Sequence, residues 1–302
     1  MRLPKAKKKS RAQRATRKQY VPVKIQRLIF ILALLVALSL VVFLEVVRPN
    51  QDARSYTHRL DVASKPLAKC FDNLADTTGL KVFYAPDVSY ADKAANTATI
   101  LRQISDCRDE IKTFDQASHQ LLVLRFAGYT QTYREAIVNQ RQAFDVIGQS
   151  NDVLEQYQAM ATFLSDYYKH IDSFRSYTSQ LGGIHYFGTA ELKKLSDEAD
   201  DLRARSVKLQ QLSAPAEFEP TKNTTSTMFA KAADGLDQIV DGYTYGNDYM
   251  ATNGFASVDQ AVSDYDSNVM NLPFDQLTNS YIPKQVMQLP DKVKNLLATS
   301  SE

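Results

Sequence analysis

Residues 27–49 read RLIFILALLVALSLVVFLEVVRP, and how they are read fixes where the rest of the chain lies. The apolar run goes from Leu28 to Leu44 with only Ser39 interrupting it, and Val46 and Val47 carry it past Glu45. Twenty residues of helix rise roughly 30 Å, the thickness of a bilayer's hydrocarbon core. Glu45 falls within one turn of the end, where a carboxylate reaches the headgroups. A cleavable signal would carry a shorter apolar core followed by a small-x-small cleavage site, which FLEVVRPNQDARSY does not offer. The first cysteine, Cys70, lies too far downstream for lipoprotein processing. The stretch is therefore read as an uncleaved anchor spanning 28–48.

Residues 1–27 hold eleven Lys or Arg and no acidic residue, which by the positive-inside tendency keeps the N-terminus cytoplasmic. The net charge of +2 hides an asymmetry. All 34 acidic residues lie from Glu45 onward against the 25 remaining basic ones, so the exported part carries −9. An acidic ectodomain argues against nucleic acid as its partner. The basic tail KAKKKSRAQRATRK could bind anionic lipid or nucleic acid at the inner face; the simpler reading is a disordered segment that fixes topology, having almost nothing apolar to bury.

Past the anchor, Pro49 and Asn50 suggest a break. Tyr56, Leu60, Ala63, Leu67, Cys70 and Leu74 then recur at alternating spacings of four and three, a heptad stripe in which Pro66 should kink or split the helix. Gly79 is a plausible stop, and TTGLKVFYAPDVSY forms a turn-rich connection with its own apolar cluster. A second stripe runs through Leu101, Ile104, Cys107, Ile111 and Phe114. Facing residues of an antiparallel hairpin have numbers with a near-constant total. Cys70 with Cys107, and Ala63 with Phe114, total 177; Leu74 with Ile104, and Leu67 with Ile111, total 178. One register thus pairs both cysteines and the apolar positions around them, so a Cys70–Cys107 disulfide is predicted, as an oxidising compartment allows. Two buried thiols are the alternative.

SHQLLVLRFAGYTQTYREAIVNQRQAFDVIGQS, residues 118–150, predicts one more helix, although Leu121 to Phe126 within it also reads as a strand. Asp152 with Glu155 looks like a capping box opening a further helix through Leu154, Tyr157, Ala161, Leu164, Tyr168, Ile171, Phe174 and Leu181, ended by Gly182 and Gly183. Ala190 to Leu212 forms the next, with Leu192, Leu195, Ala199, Leu202, Leu209 and Leu212 inward. SAPAEFEP, residues 213–220, marks a soft boundary. Beyond it come a helix through Phe229, Ala232, Leu236, Ile239 and Tyr243, another opened by Ser257 and Gln260, and a tail broken at Pro273, Pro283 and Pro290. The expected architecture is all-α: a basic cytoplasmic tail (1–27), a transmembrane helix (28–48), an extracytoplasmic antiparallel, coiled-coil-like helical bundle (49–214) and a short-helix region (215–302).

Walker A, GxSxG, HExxH, CxxC and GxGxxG patterns are missing from the sequence, which removes the commonest motif-bearing enzymes. Asp166 and His170, one helical turn apart, could share a metal; an ion pair on a helix face explains them as well. His58, His119 and His185 have no partner at ligand spacing. The DYD at 264–266 has the spacing of a glycosyltransferase DxD but lacks the α/β pattern of that fold. The best candidate for recognition is DGYTYGNDYMATNGF, residues 241–255, where Tyr243, Tyr245 and Tyr249 offer rigid aromatic area and Asn247 and Asp248 polar groups. A helix end turned by glycines is the competing reading. No cofactor is implied. The sequence thus points to a cell-membrane protein that acts by binding, as an envelope scaffold, adaptor or sensor whose partners are the lipid bilayer and another envelope protein or a second copy. An envelope enzyme or metal-binding domain is the alternative.

Overall fold

The computed structural model describes residues 23–76, 88–119, 130–172, 174, 187–265, 267 and 281–298, and among these every regular element is helical. Gly79 and the apolar cluster after it, the strand alternative at 121–126, Leu181 to Gly183, His185, Pro273 and residues 1–22 lie outside the described residues.

The apolar stretch forms α1 (Val23–Val42), and no break follows it. A single π-helical turn, Phe43–Val47, carries the chain straight into α2 (Arg48–Ala75). Pro49 has no N–H with which to satisfy the carbonyl four residues back. The turn absorbs this by widening: the N–H of Arg48 reaches the carbonyl of Phe43, five residues away. The break expected at Pro49 and Asn50 is thus a local change of pitch inside one helix. Pro66 does not split α2 either. It lies on the exposed side, where the carbonyl it deprives of a donor meets water, while the stripe of Tyr56, Leu60, Leu67 and Leu74 stays in the core.

Ser89 opens α3 (Tyr90–Ser118) by accepting the N–H of Asp92 at 3.1 Å. Cys70 of α2 and Cys107 of α3 form a disulfide, with Cα atoms 5.5 Å apart. The next helix, α4, is one piece from Gln131 to Ile171. Asp152 and Glu155 therefore lie inside it and cap nothing, because the apolar spacing runs unbroken through Val146, Val153, Leu154 and Tyr157. At 41 residues α4 is about 60 Å long. It is antiparallel to α3: the amide of Gln140 donates to the carbonyl of Ser118, and the rings of Tyr168 and Tyr90 lie 5.9 Å apart, both pairs totalling 258 in number. It is parallel to α2, beginning beside it where the Thr130 hydroxyl donates to Asn50 Oδ1 at 2.7 Å.

Helix α5 (Thr189–Gln211) packs on α6 (Glu219–Tyr245), reached through a short 3-10 turn at Ala216–Phe218. Ser206 and Ser226 exchange hydrogen bonds between buried faces, and Arg203 meets Asp234 and Asp237 at 3.3 and 2.5 Å. Helix α7 (Asp248–Asp264) folds back on α6. It is opened by Asn247, not Ser257, because Asn247 accepts the N–H of Met250 and Ser257 falls mid-helix. The last helix, α8 (Tyr281–Ala298), contains Pro290 and has Pro283 in its first turn, so neither proline ends it.

Packing divides the chain differently from its order. Helices α2, α3, α4 and α8 gather around one stretch of core, with Lys294 of α8 on Asp72 and Lys292 on Gln149. Helices α5, α6 and α7 gather around another. The C-terminal helix thus rejoins the first bundle, and 213–220 is a tight connection inside the second. The far half of α4 links the two through Phe163 on Phe218, Tyr167 on Thr225 and, just past its end, Phe174 on Phe229.

Candidate functional site

Three contacts set the direction of α6. Phe163 with Phe218, Phe174 with Phe229 and Tyr167 with Thr225 differ in number by 55 to 58, so α6 runs parallel to α4 and continues past its end. Gly246, where α6 turns into α7, lies roughly 25 Å beyond Phe174 at 1.5 Å per residue. Thr130, beside Asn50, lies at the opposite end of the 41-residue helix, so the tip and the apolar helix lie toward opposite ends of these parallel helices.

The turn is built from sequence features that demand it. Gly246 takes φ +64°, a left-handed conformation that side chains resist, and the N–H of Asn247 returns to the carbonyl of Gly242 at 2.7 Å. The two helices touch at backbone distance behind it. A Cβ at Gly242 would lie 2.5 Å from the backbone nitrogen of Ala251, and one at Gly254 would lie 2.6 Å from the carbonyl oxygen of Gly235. Spacing the glycines seven apart on α6 keeps both on the face that meets α7.

Residues 241–255 are thus a helix end, a two-residue turn at Gly246 and Asn247, and a helix start. The described structure brings Tyr243, Tyr245 and Tyr249 to this tip. Tyr243 is half-exposed and packs in a tilted arrangement on Phe187 at 4.6 Å, and Phe255 lies 5.9 Å from the same ring. Tyr245 and Tyr249 are each 77% exposed. Asn247 has its side-chain oxygen taken by the cap, and Asp248 accepts the hydroxyl of Thr252 through its backbone. Asn247 thus builds the turn, while Asp248 and the tyrosines are exposed on it.

Asp166 and His170 share a turn of α4, but Asp166 bonds Lys169 at 2.9 Å. Burial, with Arg205 and Lys208 nearby, holds His170 below the usual imidazole range. Cations on that side oppose a further positive ion, and no group of three metal-ligating side chains occurs among the described residues. The pair reads as part of a helix contact.

No protein family, curated protein or solved structure matches this chain.

Proposed function

We propose that the chain is a single-pass membrane protein, N-terminus inside, that acts by binding: an extracytoplasmic helical stalk presenting an aromatic tip to another envelope protein or to a second copy of itself. The observation that carries this is the unbroken helix Lys24–Ala75, apolar and uncovered at one end and packed into the core at the other. Large side chains from Leu28 to Val47 are 38 to 70% exposed, Leu44 excepted, and no part of the described chain covers them. A bilayer is the solvent that removes that cost. The eleven cations that precede the anchor favour the inward N-terminus. Tyrosines at the far end supply the rigid amphipathic area that protein interfaces use.

The test is membrane-impermeant crosslinking on intact cells, comparing the natural chain with the double variant Tyr245→Ser, Tyr249→Ser. A crosslinked species present only with the natural tip supports the proposal. Labelling of residues 1–22 with none beyond Asn50 overturns the orientation, and a crosslinking pattern indifferent to the two substitutions overturns the tip.

A further inference from the structure

Between α2 and α4 lies a cleft of about 400 Å³ lined by Arg54, Thr57, His58, Asp61, Glu135 and Asn139, with Thr132 at its edge. It continues the groove that α8 occupies. Asp72 and Gln149, the residues gripped by α8, differ by 77 in number; Asp61 and Asn139 differ by 78, and His58 and Glu135 by 77. Among the described residues, the groove is filled at the far level and open at the near one.

Its hydrogen-bonding capacity is left half used. Asn139 is 2% exposed, yet its Nδ2 donates to nothing among the described residues. A buried amide without an acceptor is costly, and native structures rarely leave one without a reason. Arg54 forms no ion pair among the described residues. On the acceptor side, Asp61 gives Oδ2 to Lys65 and Glu135 gives Oε1 to Gln131, which leaves Oδ1 and Oε2. The lining of the cleft therefore holds two donor groups, Arg54 at the surface and the buried amide of Asn139, and two carboxylates, Asp61 and Glu135.

We infer that this cleft is a binding site for a small zwitterion that joins a primary ammonium to an anionic oxygen group, the chemistry of phosphoethanolamine. The phosphate oxygens meet Arg54 and the Nδ2 of Asn139, and the ammonium donates to Asp61 and Glu135. Charge-assisted bonds of this kind are the strong ones. Two sources carry the same chemistry: a soluble molecule, or the headgroup of an aminophospholipid. Only the second rests on the anchor reading, since the cleft begins roughly 10 Å of helix past Val47.

The experiment titrates the full chain, in phosphatidylcholine nanodiscs, with free O-phosphoethanolamine, and separately compares hydrogen exchange over 54–61 and 132–139 in discs with and without phosphatidylethanolamine. Saturable binding of the free compound, weakened about tenfold or more by Arg54→Gln and by Asn139→Leu, establishes the site with a soluble source. Protection seen only with phosphatidylethanolamine, and lost in Arg54→Gln, establishes the lipid source. Because Asn139→Leu alters a buried position, the exposed Arg54→Gln decides if that variant does not fold. No binding up to about 10 mM together with no lipid-dependent protection overturns the site, as does binding that Arg54→Gln leaves unchanged. Neither negative touches the topology, which the crosslinking reads independently.

Discussion

Gly254 of α7 lies directly on the carbonyl oxygen of Gly235 in α6, so close that a methyl group on either would have to displace backbone. Gly254→Ala is expected to destabilise the chain by about 1 to 3 kcal/mol, the usual cost of overpacking a fitted contact. Gly148, exposed in the middle of α4 with nothing within 4 Å of its Cβ position, provides the opposite case. Gly148→Ala should stabilise by about 0.5 to 1 kcal/mol through helix propensity alone. Urea unfolding of both variants measures the contrast, and an equal loss in both would show that the α6–α7 contact is not backbone-limited.

The Cys70–Cys107 disulfide closes a loop with a sequence separation of 37 residues. The chain-entropy relation gives about 4 kcal/mol for a loop of this size. Reduction should lower the urea midpoint of the first bundle, and Cys107→Ser should reproduce the shift. Alkylation of the denatured, unreduced protein checks the bond itself: two labelled thiols per chain would contradict it.

Two buried tyrosines make alkaline pH a probe of the fold. Burial pushes the Tyr56 phenol up to about 12, with Arg59 pulling the other way, and pushes Tyr167 upward too despite its 2.8 Å bond to Thr225. An unfolded tyrosine titrates near 10. Below that pH both states hold the proton and stability is flat. Between about 10 and about 12 the unfolded state releases it first, so stability falls as pH rises. In Tyr56→Phe this slope should be shallower, at little cost near neutrality, because the Tyr56 hydroxyl makes only a long 3.4 Å bond to the Ser118 carbonyl, which keeps its bond from Gln140. Urea midpoints at pH 9 and pH 11 measure it; an unchanged slope would mean that Tyr56 ionises as freely folded as unfolded.

Tyr245 and Tyr249 can be changed without touching the core. The double serine variant should keep its stability within about 0.5 kcal/mol while losing the crosslinked partner. A large loss of stability would instead make these rings structural.

Helix content, the cysteine register and the apolar seams were legible because each is written in local spacing: Tyr56 to Leu74, and Leu101 to Phe114, meet in the register their numbers imply. The misread points are those where a local signal competes with packing. Pro49, Pro66 and Pro290 look like helix ends, yet Pro49 follows a turn that shifts the hydrogen bonds, Pro66 lies where the deprived carbonyl meets water, and Pro290 is carried inside the last helix. Asp152 and Glu155 resemble a cap, but the core contacts on either side of them hold one long helix. The helix end turned by glycines at 241–255 is legible in its composition, whereas the backbone contact that Gly235 and Gly242 make with the next helix needs the packing to show it. The cleft at Asn139 was out of reach, since it depends on the offset between two helices 80 residues apart.

The π turn at Phe43–Val47 also sets an angular phase. Each residue of an α-helix advances the chain by about 100°, so one residue added to or removed from this turn would rotate every face of the bundle by roughly that much relative to the apolar helix. With no hinge between the two, the azimuth at which the cleft and the tyrosines face their surroundings is inherited from the way the apolar helix is held.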